Sequence, residues 1–320
     1  MNNVDQEFKI LAIDGGGIRG AFPAAYLDYI ESQTGKPVYQ YFDLIVGTST
    51  GGIVSLALGF GVPAKEILNL YCEKGKDIFS KRSLRWFQNG YLLSKYRNNT
   101  LIREVKAVFG DKTLEEAKCR VCIPSIDLAC GKNRVFKTRH SDDYFHDYKI
   151  PAWQFAIATA SAPTYFPAFS DPDNCYFADG GFWANNPSLV GISEAIKLGY
   201  NSNCIKLLSI GTGNYPFQIS KKRARLGLVF WGSKLVHLAF NSQTEAACNM
   251  AKYFLKNRYK RIDCPLAKEI KLDGTSGINE LISKAQSEGK SSYKEVEKMF
   301  LQSLTTPFNQ EDTYDFKTVI

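Results

Sequence analysis

Short apolar runs alternate along this chain with longer stretches whose apolar residues recur every three or four positions, and glycine-rich or polar breaks separate the two. Residues 8–13, Phe-Lys-Ile-Leu-Ala-Ile, and the run Phe42-Asp43-Leu44-Ile45-Val46 read as short buried strands. Residues 121–128, 134–137 and 204–210 read the same way, and so does the short run Cys175-Tyr176-Phe177-Ala178. Helical spacing follows at 52–58, opens again behind Pro63, where proline suits a first helical position, and returns at 151–159 and from Asn186-Pro187 to about residue 198. Such alternation predicts the α/β class, with a mostly parallel central sheet and helices on both faces. No internal repeat is visible. The pattern divides the chain into an arm at 1–7, a core at 8–213, a helical and basic part at 214–302 packed on the same domain, and a tail at 303–320.

Composition narrows the class. With 320 residues and 44% hydrophobic content, one large domain with a full core is expected. No uninterrupted apolar window reaches the roughly 18 residues of a membrane span. The first residues carry no basic segment followed by an apolar stretch, so a cytoplasmic protein is expected. Eight cysteines are scattered, and only Cys119 and Cys122 form a Cys-x-x-Cys, without a second pair to complete a zinc site. Reduced core thiols, no metal and no cofactor are the expectation.

Two glycine-rich motifs carry the chemistry. Gly47-Thr48-Ser49-Thr50-Gly51 sets one serine between two glycines at a strand end, a pattern that forces the serine into an exposed elbow before a helix. Upstream, Asp14-Gly15-Gly16-Gly17-Ile18-Arg19-Gly20 follows the first strand, where bare backbone N–H groups can face developing negative charge. Gly15, Gly17 and Gly20 also satisfy the Gly-x-Gly-x-x-Gly dinucleotide pattern, which needs an acidic residue closing the second strand. Asp43 instead opens that strand, and the strand runs into the serine elbow.

A third motif is Asp179-Gly180-Gly181, which ends a strand-like run 130 residues after Ser49 and in isolation would be an ordinary Asp-Gly turn. Taken together, Asp-Gly-Gly-Gly-Ile-Arg-Gly, Gly-Thr-Ser-Thr-Gly and Asp-Gly-Gly, with Ser161-Ala162-Pro163 between the last two, resemble the patatin-like phospholipases over residues 8–213. That resemblance implies a three-layer α/β/α fold and a lipid acyl hydrolase. In it Ser49 is the nucleophile, and Asp179 takes its proton without a histidine between them. Gly15, Gly16 and Gly17 form the oxyanion loop, with the amides of Gly16 and Gly17 the first choice as donors. Arg19 holds the loop or meets the lipid phosphate, and Gly20, Gly47, Gly51, Gly180 and Gly181 are motif glycines.

The competing hydrolase scheme is a Ser-Asp-His triad. Of the three histidines, His237 has the right chain order behind Ser49 and Asp179, but it sits in a helical stretch and reads as a packing residue. His140 and His146 lie in a polar loop and read as solvated.

The formal charge of +8 suits an anionic membrane surface, and no motif for a nucleic acid polymer accompanies it. The stretches 81–91 and 220–231 mix basic and aromatic residues and read as a lid or a membrane-contact element on the inner face of the membrane. The basic run 258–263 either meets phosphates or caps a charged helix end. The resemblance extends to bacterial effectors of antiphage defence that cyclic nucleotides switch on, which leaves a cyclic nucleotide activator and a homo-oligomer open as partners.

Overall fold

The computed structural model describes residues 6–80, 94–215 and 228–309, with the backbone alone for 228–235. Residues 81–91 and 220–227, expected as lid or membrane-contact elements, lie outside the described residues.

An eight-stranded sheet organises the chain. Five strands run parallel, in the spatial order β3 (Arg120–Asp127), β2 (Leu44–Gly47), β1 (Phe8–Ile13), β7 (Ile205–Ile210) and β8 (Tyr259–Ile262). Antiparallel to β3 lie β4 (Lys132–Lys137) and β6 (Tyr176–Asp179), and β5 (Phe169–Ser170) pairs with β6. All six residues of β1 are buried, as a central parallel strand covered on both faces requires. Its side chains alternate: Leu11 and Ile13 enter one core, Phe8, Ile10 and Ala12 the other.

The larger core lies under α1 (Ala21–Thr34), α2 (Thr50–Gly59), α3 (Ala64–Ile78), α4 (Asn99–Phe109), α5 (Ala152–Ala160) and α9 (Ile278–Val296). The smaller lies under α7 (Ser188–Lys197) and α8 (Leu228–Leu255), and the short α6 (Gly181–Ala184) packs on α8. The layers are therefore α/β/α, as expected. One expectation is corrected: within 258–263 only Arg258 ends a helix, the short 3-10 turn Lys256–Arg258. Residues 259–262 form β8, which pairs in parallel with β7, and Lys260 and Arg261 are held in ion pairs.

The position of the site follows from how β3 is paired. Along 122–127 one edge of β3 is taken by β4. The other edge is shared: β2 pairs with Arg120–Cys122, and β6 pairs with Ser125–Asp127. Since β2 runs with β3 and β6 runs against it, their C-terminal ends point at each other across Ile123 and Pro124. A residue of a strand presents its N–H and C=O to the same edge, so the donor that Pro124 lacks would have faced this gap, where no strand waits for it.

Candidate active site

Ser49 follows the end of β2 and adopts φ 55° and ψ −125°, a left-handed conformation that a serine rarely holds without compensation. The flanking glycines make room for the turn. A Cβ on Gly47 would lie 2.1 Å from the Gly51 carbonyl oxygen, and one on Gly51 would lie 2.3 Å from that of Ile13. Below the turn, Thr159 ties the site to the sheet. The Ser49 N–H donates to Thr159 Oγ1 at 2.9 Å, and that hydroxyl donates to the Pro124 carbonyl at 2.6 Å, filling the gap between β2 and β6.

Asp179 closes β6 and is fully buried. Its Oδ1 accepts the Gly181 N–H at 2.7 Å, and Oδ2 has no partner of ordinary hydrogen-bond geometry among the described residues. The Ser49 hydroxyl is nevertheless near enough to stabilise the charged carboxylate. Burial dominates and pushes the Asp179 pKa up to about 7, against the smaller opposing pull of Ser49 and of the Gly181 amide.

The glycine loop lies beside this pair. A Cβ on Gly15 would be 3.2 Å from Ser49 Cβ, and Gly17 lines the same cleft as Ser49 and Asp179. Gly15 is corrected as an oxyanion donor, because its N–H is already given to the Asn185 carbonyl at 2.9 Å. The amides of Gly16 and Gly17 meet no acceptor among the described residues. Gly17 has φ 57°, and a Cβ there would fall 2.2 Å from the Leu272 carbonyl oxygen, which also accepts the Ile18 N–H at 2.8 Å. Arg19 turns inward: Nη1 donates to the Gly213 carbonyl at 3.1 Å and Nε to the Gly16 carbonyl at 3.4 Å, the loop-holding half of its expected part.

The cleft above is walled mainly by Ile53, Leu70, Ile78, Phe79, Leu101 and Phe166. Its lining suits an acyl chain, with Ser49 and Asp179 among the few polar residues. The described residues contain no helix long and apolar enough to cross a membrane.

A family model described as patatin-like phospholipase matches residues 11–191, more than half of the chain. The chain belongs to the patatin-like phospholipase family. Among its relatives, a protein of Pseudomonas aeruginosa named cGAMP-activated phospholipase is 33% identical over 80% of this chain and 78% of its own. A Vibrio cholerae protein of the same name is 33% identical over 76% of each chain. An Escherichia coli protein, again of that name, is 35% identical over 70% of this chain and 68% of its own.

Within this patatin-like chain no histidine among the described residues hydrogen-bonds Ser49 or Asp179. His237, on α8, shares a 3.3 Å hydrogen bond with the Tyr165 hydroxyl, and burial lowers its pKa. His140 corrects the sequence reading, since it is buried rather than solvated. The loop around it folds back on α7, where Nε2 meets Glu194 Oε1 at 3.1 Å and Nδ1 meets the Thr138 hydroxyl at 2.8 Å. Cys122 lies with these two groups, but Lys137 and Tyr144 also bond Glu194 at 2.5 Å each, which closes the network on itself. Asp43, the acidic residue weighed for the dinucleotide pattern, accepts the Lys9 N–H at 2.7 Å at the opposite end of β2 from Ser49.

Sequence reasoning missed Thr159 and Arg261. Thr159 has no motif of its own beyond standing two residues before Ser161-Ala162-Pro163. Arg261 was hidden in a run of charges.

Proposed function

We propose that the chain hydrolyses the acyl ester bonds of membrane phospholipids through an acyl-enzyme, with Ser49 as nucleophile and Asp179 as base. The observation that carries this reading is a strained elbow serine facing an unpartnered oxygen of a buried aspartate at the foot of an apolar cleft. As Ser49 Oγ bonds to the acyl carbonyl carbon, its proton passes to Asp179 Oδ2 and the oxyanion takes the N–H groups of Gly16 and Gly17. Collapse breaks the ester bond, and the proton on Asp179 leaves with the lysophospholipid hydroxyl. Water then attacks the acyl-Ser49 ester, Asp179 accepts its proton and returns it to Ser49, and a free fatty acid departs.

The net charge of +8 supports work at an anionic membrane face, with the protein bound peripherally to the cytoplasmic leaflet. The names of the bacterial relatives support activation by a cyclic nucleotide. The test is product analysis by mass spectrometry on defined anionic phospholipid vesicles, with and without a panel of cyclic dinucleotides. Fatty acid and lysophospholipid released by the wild-type chain but not by Ser49→Ala are expected. Release by both would sink the assignment, and equal release without any cyclic dinucleotide would remove the activation.

A further inference from the structure

Arg261 stands on β8 at the margin of the sheet, two strands away from β1, yet its side chain is only 19% exposed and its guanidinium reaches Asp14, the residue that opens the glycine loop. The path is built from small side chains. Arg261 pairs in register with Ser209 on β7, and Ser209 pairs with Ala12 on β1, so nothing bulky stands between β8 and Asp14, which follows Ala12 on the same face. At adjacent-strand spacings of about 4.8 Å, only a long side chain spans β7 to arrive there. Nη1 donates to Ser209 Oγ at 2.7 Å on the way, and the fork closes on Asp14, Nη1 to Oδ1 at 3.0 Å and Nη2 to Oδ2 at 2.6 Å.

The same guanidinium holds the other end of the loop by relay. Nη2 also donates to Asp263 Oδ2 at 2.9 Å, and Asp263 Oδ1 accepts the Gly213 N–H at 2.9 Å. The Gly213 carbonyl in turn receives Arg19 Nη1. Asp14 precedes Gly15 and Arg19 follows Ile18, so both ends of the segment that carries the amides of Gly16 and Gly17 are tied to one cation.

We infer that Arg261 is a positioning residue that clamps the oxyanion loop at both ends, directly through Asp14 and by way of Asp263 and Gly213 through Arg19. The inference rests on the reading of Gly16 and Gly17 as oxyanion donors for its effect on rate, and on geometry alone for its effect on the loop. A buried bidentate Arg–carboxylate pair adds little net stability over an apolar replacement, but it fixes orientation, which is what a pair of donors aimed at a tetrahedral intermediate requires. Lysine keeps the charge and loses the fork.

The test couples amide hydrogen exchange with kinetics on the full-length chain, comparing wild type, Arg261→Ala, Arg261→Lys and Asp263→Asn. With Arg261→Ala, peptides covering residues 14–20 are expected to exchange faster. Turnover of a chromogenic ester is expected to fall about 100-fold in kcat with KM within about threefold, since a misplaced donor affects the transition state rather than substrate binding. Arg261→Lys is expected to recover part of kcat. Asp263→Asn, which also serves if Arg261→Ala does not fold, is expected to loosen only the Arg19 end. Unchanged exchange over residues 14–20 in the folded variants would overturn the clamp whatever happens to activity. Faster exchange in a chain whose wild type hydrolyses no ester, with the panel of cyclic dinucleotides present or absent, would uphold the clamp and reject the lipase reading.

Discussion

The Gly181 amide donates to Asp179 Oδ1 at 2.7 Å and thereby decides which carboxylate oxygen faces the cleft. With Oδ1 engaged, Oδ2 is the oxygen left for Ser49. The division suits the role of base proposed for Asp179. One oxygen fixes the orientation of the group while burial raises the basicity of the other.

Asp179→Asn should leave the fold intact and lower ester turnover by about 100- to 10,000-fold, the range over which general-base catalysis operates. Ser49→Ala should abolish turnover and labelling by a fluorophosphonate. Steady-state rates on a chromogenic ester and intact-mass detection of the label check both, and an Asp179→Asn enzyme near wild-type rate would refute the base.

Acidity gives a second handle. Because burial raises the Asp179 pKa to about 7, the base is protonated below that pH, so kcat/KM should climb through pH 7 and level off above it. The same shift has the opposite sign for stability. Between the ordinary carboxylate pKa of 3.8 and about 7, the unfolded chain has released this proton and the folded one has not, so stability falls as pH rises across that window. Asp179→Asn should therefore be more stable than wild type at pH 8, by an amount on the order of 4 kcal/mol, and no more stable at pH 4. Chemical denaturation at the two pH values decides it.

Strain at the elbow predicts a difference between two inactive variants. Glycine accepts the φ of 55° at position 49 and alanine does not, so Ser49→Gly should exceed Ser49→Ala in stability by about 1 kcal/mol despite glycine's greater unfolded-state entropy. Equal melting temperatures would mean that the turn relaxes once the hydroxyl is gone.

Thr159→Val strips the hydroxyl that joins the Ser49 N–H to the Pro124 carbonyl and leaves two buried polar groups unanswered, a loss of about 1–3 kcal/mol for each. Turnover should fall as well, since the elbow loses its tether. Thr159→Ser keeps the hydroxyl and should restore most of both properties; failure of serine to do so would show that the methyl group, not the hydrogen bonds, is what matters.

His237 pairs with Tyr165 rather than with Asp179. His237→Asn should accordingly retain most ester turnover, and a collapse comparable to that of Asp179→Asn would revive the triad.

The glycine loop, the elbow and Asp179 were legible because each is a local pattern, in which steric demands are written into a few consecutive residues. Thr159 and Arg261 were not, because their partners are remote: Ser49 lies 110 residues from Thr159, and Asp14 lies 247 residues from Arg261. A charged run on the page looks solvated until the sheet shows which of its members alternates inward. His140 misled for a related reason, since a polar loop hides a histidine when a buried glutamate on another element receives it. The alternation of strands and helices was readable from periodicity, whereas the shared edge of β3 depends on register, which no single strand encodes.

That shared edge also bears on the birth of the enzyme. Ser49 leaves the ribosome 130 residues before Asp179, and Arg261 follows another 82 later. Until β6 has docked against β3 the serine lacks the base proposed for it, and until β8 has been added the loop beside it lacks the clamp inferred above. On the proposed reading the centre is therefore a product of long-range docking, assembled only after strands far apart in the chain have met.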